Sequence, residues 1–128
     1  MRITLTELHL DPPHPLQVSF SSACGDGRGQ WLGPLPQVAL DYEVELSLED
    51  EFHWNANISA AAQGPARLHW QRGALQVSGQ LLQVEADGTA ALAVDRSIIL
   101  LSLQGGPACT PQCVKLRACQ VSLRPIDL

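Results

Sequence analysis

The chain has 128 residues, 45% hydrophobic and 16% charged, with a formal net charge of −5. That length suits a single domain over residues 1–128 with a core of its own, and the balance excludes a disordered chain. The acidity argues against a phosphate backbone as ligand, because affinity for one comes from lysine and arginine. No apolar run reaches the ~18 residues of a membrane span.

The opening stretch, MRITLTELHLD, carries Glu7, His9 and Asp11 where a cleaved signal peptide needs unbroken apolar residues, so a cytoplasmic protein is expected. Residues 2–10 alternate as a first strand whose parity changes after Ile3 and Leu5. Leu16, Val18 and Phe20 mark a second strand. Residues 24–36, with three glycines at positions 25, 27 and 29, read as a loop. Trp31 is expected to fold back from that loop onto the core.

Residues 41–55, DYEVELSLEDEFHWN, alternate throughout. One parity holds Tyr42, Val44, Leu46, Leu48, Asp50, Phe52 and Trp54. The other holds Asp41, Glu43, Glu45, Ser47, Glu49, Glu51, His53 and Asn55. A strand of this length is far above the usual ~5–6 residues, so a break is expected at Asp50. Either a three-residue hairpin loop of Glu49, Asp50 and Glu51 or a bulge in one bent strand would supply it.

Residues 57–66 form the one helix candidate, with Ser59 as N-cap and Gly64-Pro65 as a stop. Residues 67–71 alternate again. In 74–88 the parity switches near Leu81-Leu82, the mark of a bulge, and Asp87-Gly88 is a hairpin signal. Residues 97–103, SIILLSL, are apolar on both parities, as in a strand covered on both faces. The last strand, VKLRACQVSLRP, changes parity near Ala118-Cys119. The expected fold is therefore all-β: an antiparallel barrel or sandwich of about 7–8 short strands with one short helix, in a layout similar to the oligonucleotide/oligosaccharide-binding (OB) barrel.

Charge is unevenly distributed. Residues 1–65 hold nine acids against Arg2 and Arg28, while residues 66–128 hold six bases against Glu85, Asp87, Asp95 and Asp127. The halves are expected either to face each other or to meet an external partner. Lys115 and Arg117, spaced like Glu43 and Glu45, are candidates for cross-strand pairing with them.

Motifs for catalysis are missing. There is no metal-binding His-x-His or His-Glu-x-x-His, no phosphate loop and no nucleophile elbow, so no enzyme and no cofactor are expected. Asp95, Arg96 and Ser97 group a carboxylate, a guanidinium and a hydroxyl at a strand boundary, where a turn is the simpler reading. Cys109 and Cys113 could place two thiolates on one ion, with Cys24, Cys119 or a histidine completing it. A disulfide from Cys109 to Cys113 or Cys24 is a second possibility. With no second matching pair and no export signal, free thiols without metal are expected.

Two binding readings remain. A comb of like charge speeds encounter with a cationic partner and rejects others. Glu43, Glu45, Glu49, Asp50, Glu51 and His53 are therefore expected to dock a basic protein, in the manner of the small immunity proteins that neutralise cationic toxins. The alternative is an OB-like barrel that binds a small ligand or single-stranded nucleic acid on Trp54, Trp70 and His69.

Overall fold

The computed structural model describes residues 1–126 and contains strands without helices among them. Among the described residues no helix is long and apolar enough to cross a membrane. In chain order the strands are β1 (Arg2–His9), β2 (Gln17–Ser22), β3 (Gly25–Trp31), β4 (Asp41–Leu48), β5 (Glu51–His53) and β6 (Ile58–Ala60). They continue with β7 (Arg67–Gln71), β8 (Ala74–Val84), β9 (Thr89–Val94), β10 (Ser97–Gln104), β11 (Gln112–Ala118) and β12 (Val121–Pro125). The class is all-β, as expected, but twelve strands replace seven or eight and the helix is gone.

Five strands close a small barrel. β1, β2 and β3 form an antiparallel meander, β4 pairs with β1, β12 pairs with β4, and β12 then meets β3 in parallel to shut the ring. The interior is filled by Ile3, Leu5, Val18, Phe20, Val44, Leu46 and Leu123, all buried. Thr6 lies at a register shift between Leu5 and Glu7, the physical cause of the parity change in the first strand.

The glycine-rich stretch expected to be a loop is β3. Its glycines serve contact. A Cβ on Gly27 would stand 2.5 Å from a ring carbon of Phe20, and one on Gly29 would stand 2.9 Å from Val121. Glycine in a strand often marks such close approach. Trp31 at the strand end is buried, its ring edge-on to Tyr42 at 5.2 Å, and its Nε1 donates to the Pro34 carbonyl.

The other strands build a second, curled sheet. The long β8 pairs with β11 along one edge and with β7 and then β9 along the other. From β9 the sheet continues through β10 to β5, while β11 continues to β6. A single bridge between Trp54 and Ile58 joins the two ends. The expected bulge is present between Leu81 and Gln83, and Asp87-Gly88 turns β8 into β9. Both sheets share one hydrophobic core, and β3 is joined to β7 by the Gly25–Leu68 pair.

The expected helix is strand β6 followed by a loop. Two helical turns are marginal in water. Pairing Ile58–Ala60 with Val114–Leu116 satisfies the backbone and leaves Ile58 only 1% exposed. The stretch 97–103 is covered on one face only: Ile99, Leu101 and Leu103 are buried, whereas Ile98 and Leu100 are 57% and 65% exposed. The final strand is two strands, β11 and β12, separated by Cys119 and Gln120.

Candidate functional site

The acidic comb lies on β4, β5 and the two residues between them. Its apolar parity runs unbroken through both strands, with Val44, Leu46, Leu48 and Phe52 buried. The break falls at Glu49-Asp50, as the length argument required, but β4 and β5 do not pair with each other. β4 belongs to the barrel, and β5 pairs in parallel with β10 in the second sheet. The chain bends there to pass from one sheet to the other.

Asp50, the one acid on the apolar parity, explains the bend. Its two carboxylate oxygens accept the main-chain N–H groups of Cys119 and Gln120, each at 2.8 Å. Those are the two residues at the β11–β12 break, so the two bends lock together. Hydrogen bonds to a carboxylate are the stronger kind. Next to it, Glu49 accepts the hydroxyl of the buried Ser122 at 2.7 Å, and the Glu49 N–H donates to the Gln120 carbonyl.

The remaining carboxylates divide into two sets. Asp41 accepts from the Thr4 hydroxyl at 2.6 Å and from Arg2 at 3.3 Å. The Thr4 hydrogen bond is the main cause that holds its carboxyl below the usual range, with Arg2 adding to it. Glu43 is half-buried and pairs with the Met1 amino group at 3.1 Å. Glu45, Glu51 and His53 are exposed, and Glu45 stands opposite Arg124 in the ladder. Among the described residues, the ion pairs of the comb are Met1–Glu43 and Arg2–Asp41.

The expected pairing of Lys115 and Arg117 with Glu43 and Glu45 is not formed. Both bases lie on β11, where Lys115 faces Ser59 and Ser78 in register and Arg117 donates to the Arg72 carbonyl. The reason is the unrecognised β11–β12 break, which puts β12 rather than β11 beside β4. Asn57, which the sequence pattern places in the helix, is instead a local brace. Its Oδ1 accepts the His53 N–H and its Nδ2 donates to the Glu51 carbonyl. The asparagines at 55 and 57, between the two strands, are the turn signal that could have revealed it.

The aromatic alternative is distributed over the second sheet. Trp54 follows β5 beside Gly105, and Trp70 lies on β7; both are half-buried against the shared core. His69 is exposed, its Nδ1 3.4 Å from the Asp26 carboxylate. Trp70 lines a cavity of about 260 Å³ with Gln17, Arg28, Gln30 and Glu49; Trp54 and His69 do not line it. The four cysteines are unbridged, and no cluster of three metal-ligating side chains occurs among the described residues. Burial, with a smaller effect of Asp95, pushes the Cys24 thiol above its ordinary value, away from the reactive thiolate. No known protein family, curated protein or solved structure matches this chain.

Proposed function

We propose that this is a non-enzymatic protein-binding module that docks a basic partner, such as a cationic toxin, on the outer face of β4 and β5. The observation that carries the reading is the division of the comb. Asp41, Glu43, Glu49 and Asp50 have partners within the protein, while Glu45, Glu51 and His53 are presented to solvent on one parity. The internally bonded acids hold the surface rigid and the exposed ones supply its field. A rigid charged face raises association rates and penalises like-charged competitors.

The test is salt-graded capture of basic proteins from a source lysate by wild type and by the double variant Glu45→Lys, Glu51→Lys. A partner held at low salt, released at high salt and weakened by roughly tenfold or more in the variant is the expected result. Equal capture by a folded double variant would overturn the reading.

A second reading has its own support. The five-stranded closed ring has the strand count of an OB barrel, whose strands two and three form a binding face. Here β2 and β3 contribute Gln17, Arg28 and Gln30 to the Trp70 cavity, a guanidinium beside a ring. Titrating labelled single-stranded oligonucleotides and following Trp70 fluorescence tests it; an unchanged signal in Arg28→Ala counts against it.

A further inference from the structure

Bases from the second half of the chain meet on the outer face of the second sheet. On β11, Val114, Leu116 and Ala118 are buried, and Lys115 and Arg117 between them are exposed. Lys115 is in register with Ser59 of β6 on one side and with Ser78 of β8 on the other. Ser78 in turn stands opposite Arg67 of β7. Side chains opposite each other in a ladder share one face. Ser59, Lys115, Ser78 and Arg67 therefore form one row across four strands. A second row beside it runs Arg117, Gln76 and His69.

The cations of these rows are not neutralised by the fold. Among the described residues, no carboxylate lies within 4.0 Å of Arg67, Lys115 or Arg117, whereas His69 is paired with Asp26. Arg117 is held in place by the Arg72 carbonyl, to which its Nη2 donates at 3.2 Å, and other N–H groups of its fork stay free. Ser59, Gln76, Lys115 and Arg117 line one cleft of about 530 Å³. Across the row, Arg67 and Ser78 line a second depression of about 240 Å³, whose walls carry no carboxylate.

Acids limit the face at both ends. Asp50 lines the cleft, with both oxygens accepting main-chain N–H groups. Asp26 lies at the far end, 3.4 Å from His69. A long polyanion laid along the rows would run over these carboxylates, and a compact one would not. The rows also hold no phenylalanine, tyrosine or tryptophan, so stacked bases have no platform here.

Strand geometry sets the spacing of the three free cations. Lys115 and Arg117 are two residues apart along a strand, about 7 Å, and Lys115 and Arg67 are two strand spacings apart, about 10 Å. One anionic group between the first pair leaves a second within reach of Arg67. Arginine forks match phosphate oxygens, and lysine adds a point charge. We propose that this face binds a compact small molecule bearing two phosphate groups. Lys115 and Arg117 hold the first, Arg67 holds the second, and Ser78 and Gln76 donate between them. The site is separate from the acidic face and does not depend on it.

Titrating inorganic pyrophosphate into the isotope-labelled full-length protein at low salt tests this by NMR. The amides of Gln76, Ser78, Lys115 and Arg117 should shift saturably. Lys115→Gln and Arg67→Gln should each weaken binding by about tenfold with melting temperature unchanged, since both side chains are exposed. Arg124→Gln, which removes an exposed cation of β12, should bind as wild type does. No saturable shift at millimolar pyrophosphate, or equal weakening by Arg124→Gln, would overturn the site. Orthophosphate binding as tightly as pyrophosphate would overturn the second phosphate and the role of Arg67. A single-stranded oligonucleotide that shifts the same amides at lower concentration than pyrophosphate would overturn the restriction to compact ligands.

Discussion

The barrel and the second sheet close in different ways. The barrel is shut by continuous ladders at every seam, with β12 inserted between β4 and β3. The second sheet is shut by one bridge, Trp54 to Ile58, within a tight turn braced by Asn57. Yet a single core runs through both. A weakly closed sheet can persist because it shares its apolar interior and is bolted to the barrel at two points, Asp50 and the Gly25–Leu68 pair.

If the core is truly common, emptying either side should lower one transition rather than two. Phe20 in the barrel and Phe52 in the second sheet are both fully buried. Phe20→Ala and Phe52→Ala should each cost about 3–5 kcal/mol. Calorimetry should show a single cooperative unfolding in both, and separate transitions would break the shared-core view.

The junction comes next. A Cβ on Gly25, whose φ is 134°, would lie 1.9 Å from the Leu68 carbonyl oxygen. Gly25→Ala should therefore cost about 3 kcal/mol, at the upper end of overpacking, because backbone must move. A variant melting within a degree of wild type would show that β3 and β7 do not depend on each other.

Asp50→Ala removes the acceptor of two amides at the other junction. The site is half-exposed, so water recovers part of the loss, and about 2 kcal/mol is expected. Urea melts should record this as a shift in midpoint. Exchange at the Cys119 and Gln120 amides should rise, and unchanged protection there would mean that the two bends are not locked by Asp50.

The smallest effect compares two exposed aspartates. Thr4 holds the Asp41 carboxyl down chiefly through its side chain, whereas Thr89 holds Asp87 down chiefly through its backbone N–H. Thr4→Val should raise the Asp41 pKa, while Thr89→Val should leave most of the Asp87 depression in place. Carboxyl-carbon NMR titration reads both. The sign for stability is the same at each site. A depressed folded pKa stabilises above the unfolded value, and that contribution is lost as the pH falls through the folded one.

Much of the architecture was legible in short-range pattern. The alternation of 41–55, the parity changes at Leu5–Glu7 and Leu81–Gln83, and the Asp87-Gly88 turn each express one local rule. β3 was not legible, because its glycines are explained by Phe20 and Val121 rather than by their neighbours. The Ile58–Ala60 strand was missed for the same kind of reason: its ladder partner lies on β11. In the candidate site, the comb was visible as a list of carboxylates, but which of them are already engaged was not. Asp50 meets its partners 69 and 70 residues away.

By itself, the sequence determined the all-β class, the break at Glu49-Asp50 and the two faces of the strand that contains it. Period-two patterning acts within a few residues and needs no partner. Only the tertiary structure decided that β12 rather than β11 lies beside β4, that Asp50 is a bolt while Glu45 and Glu51 stay free, and that Ile98 and Leu100 face outward from β10. Those outcomes depend on which distant strand arrives, and pairing between strands far apart in the chain leaves no local signature.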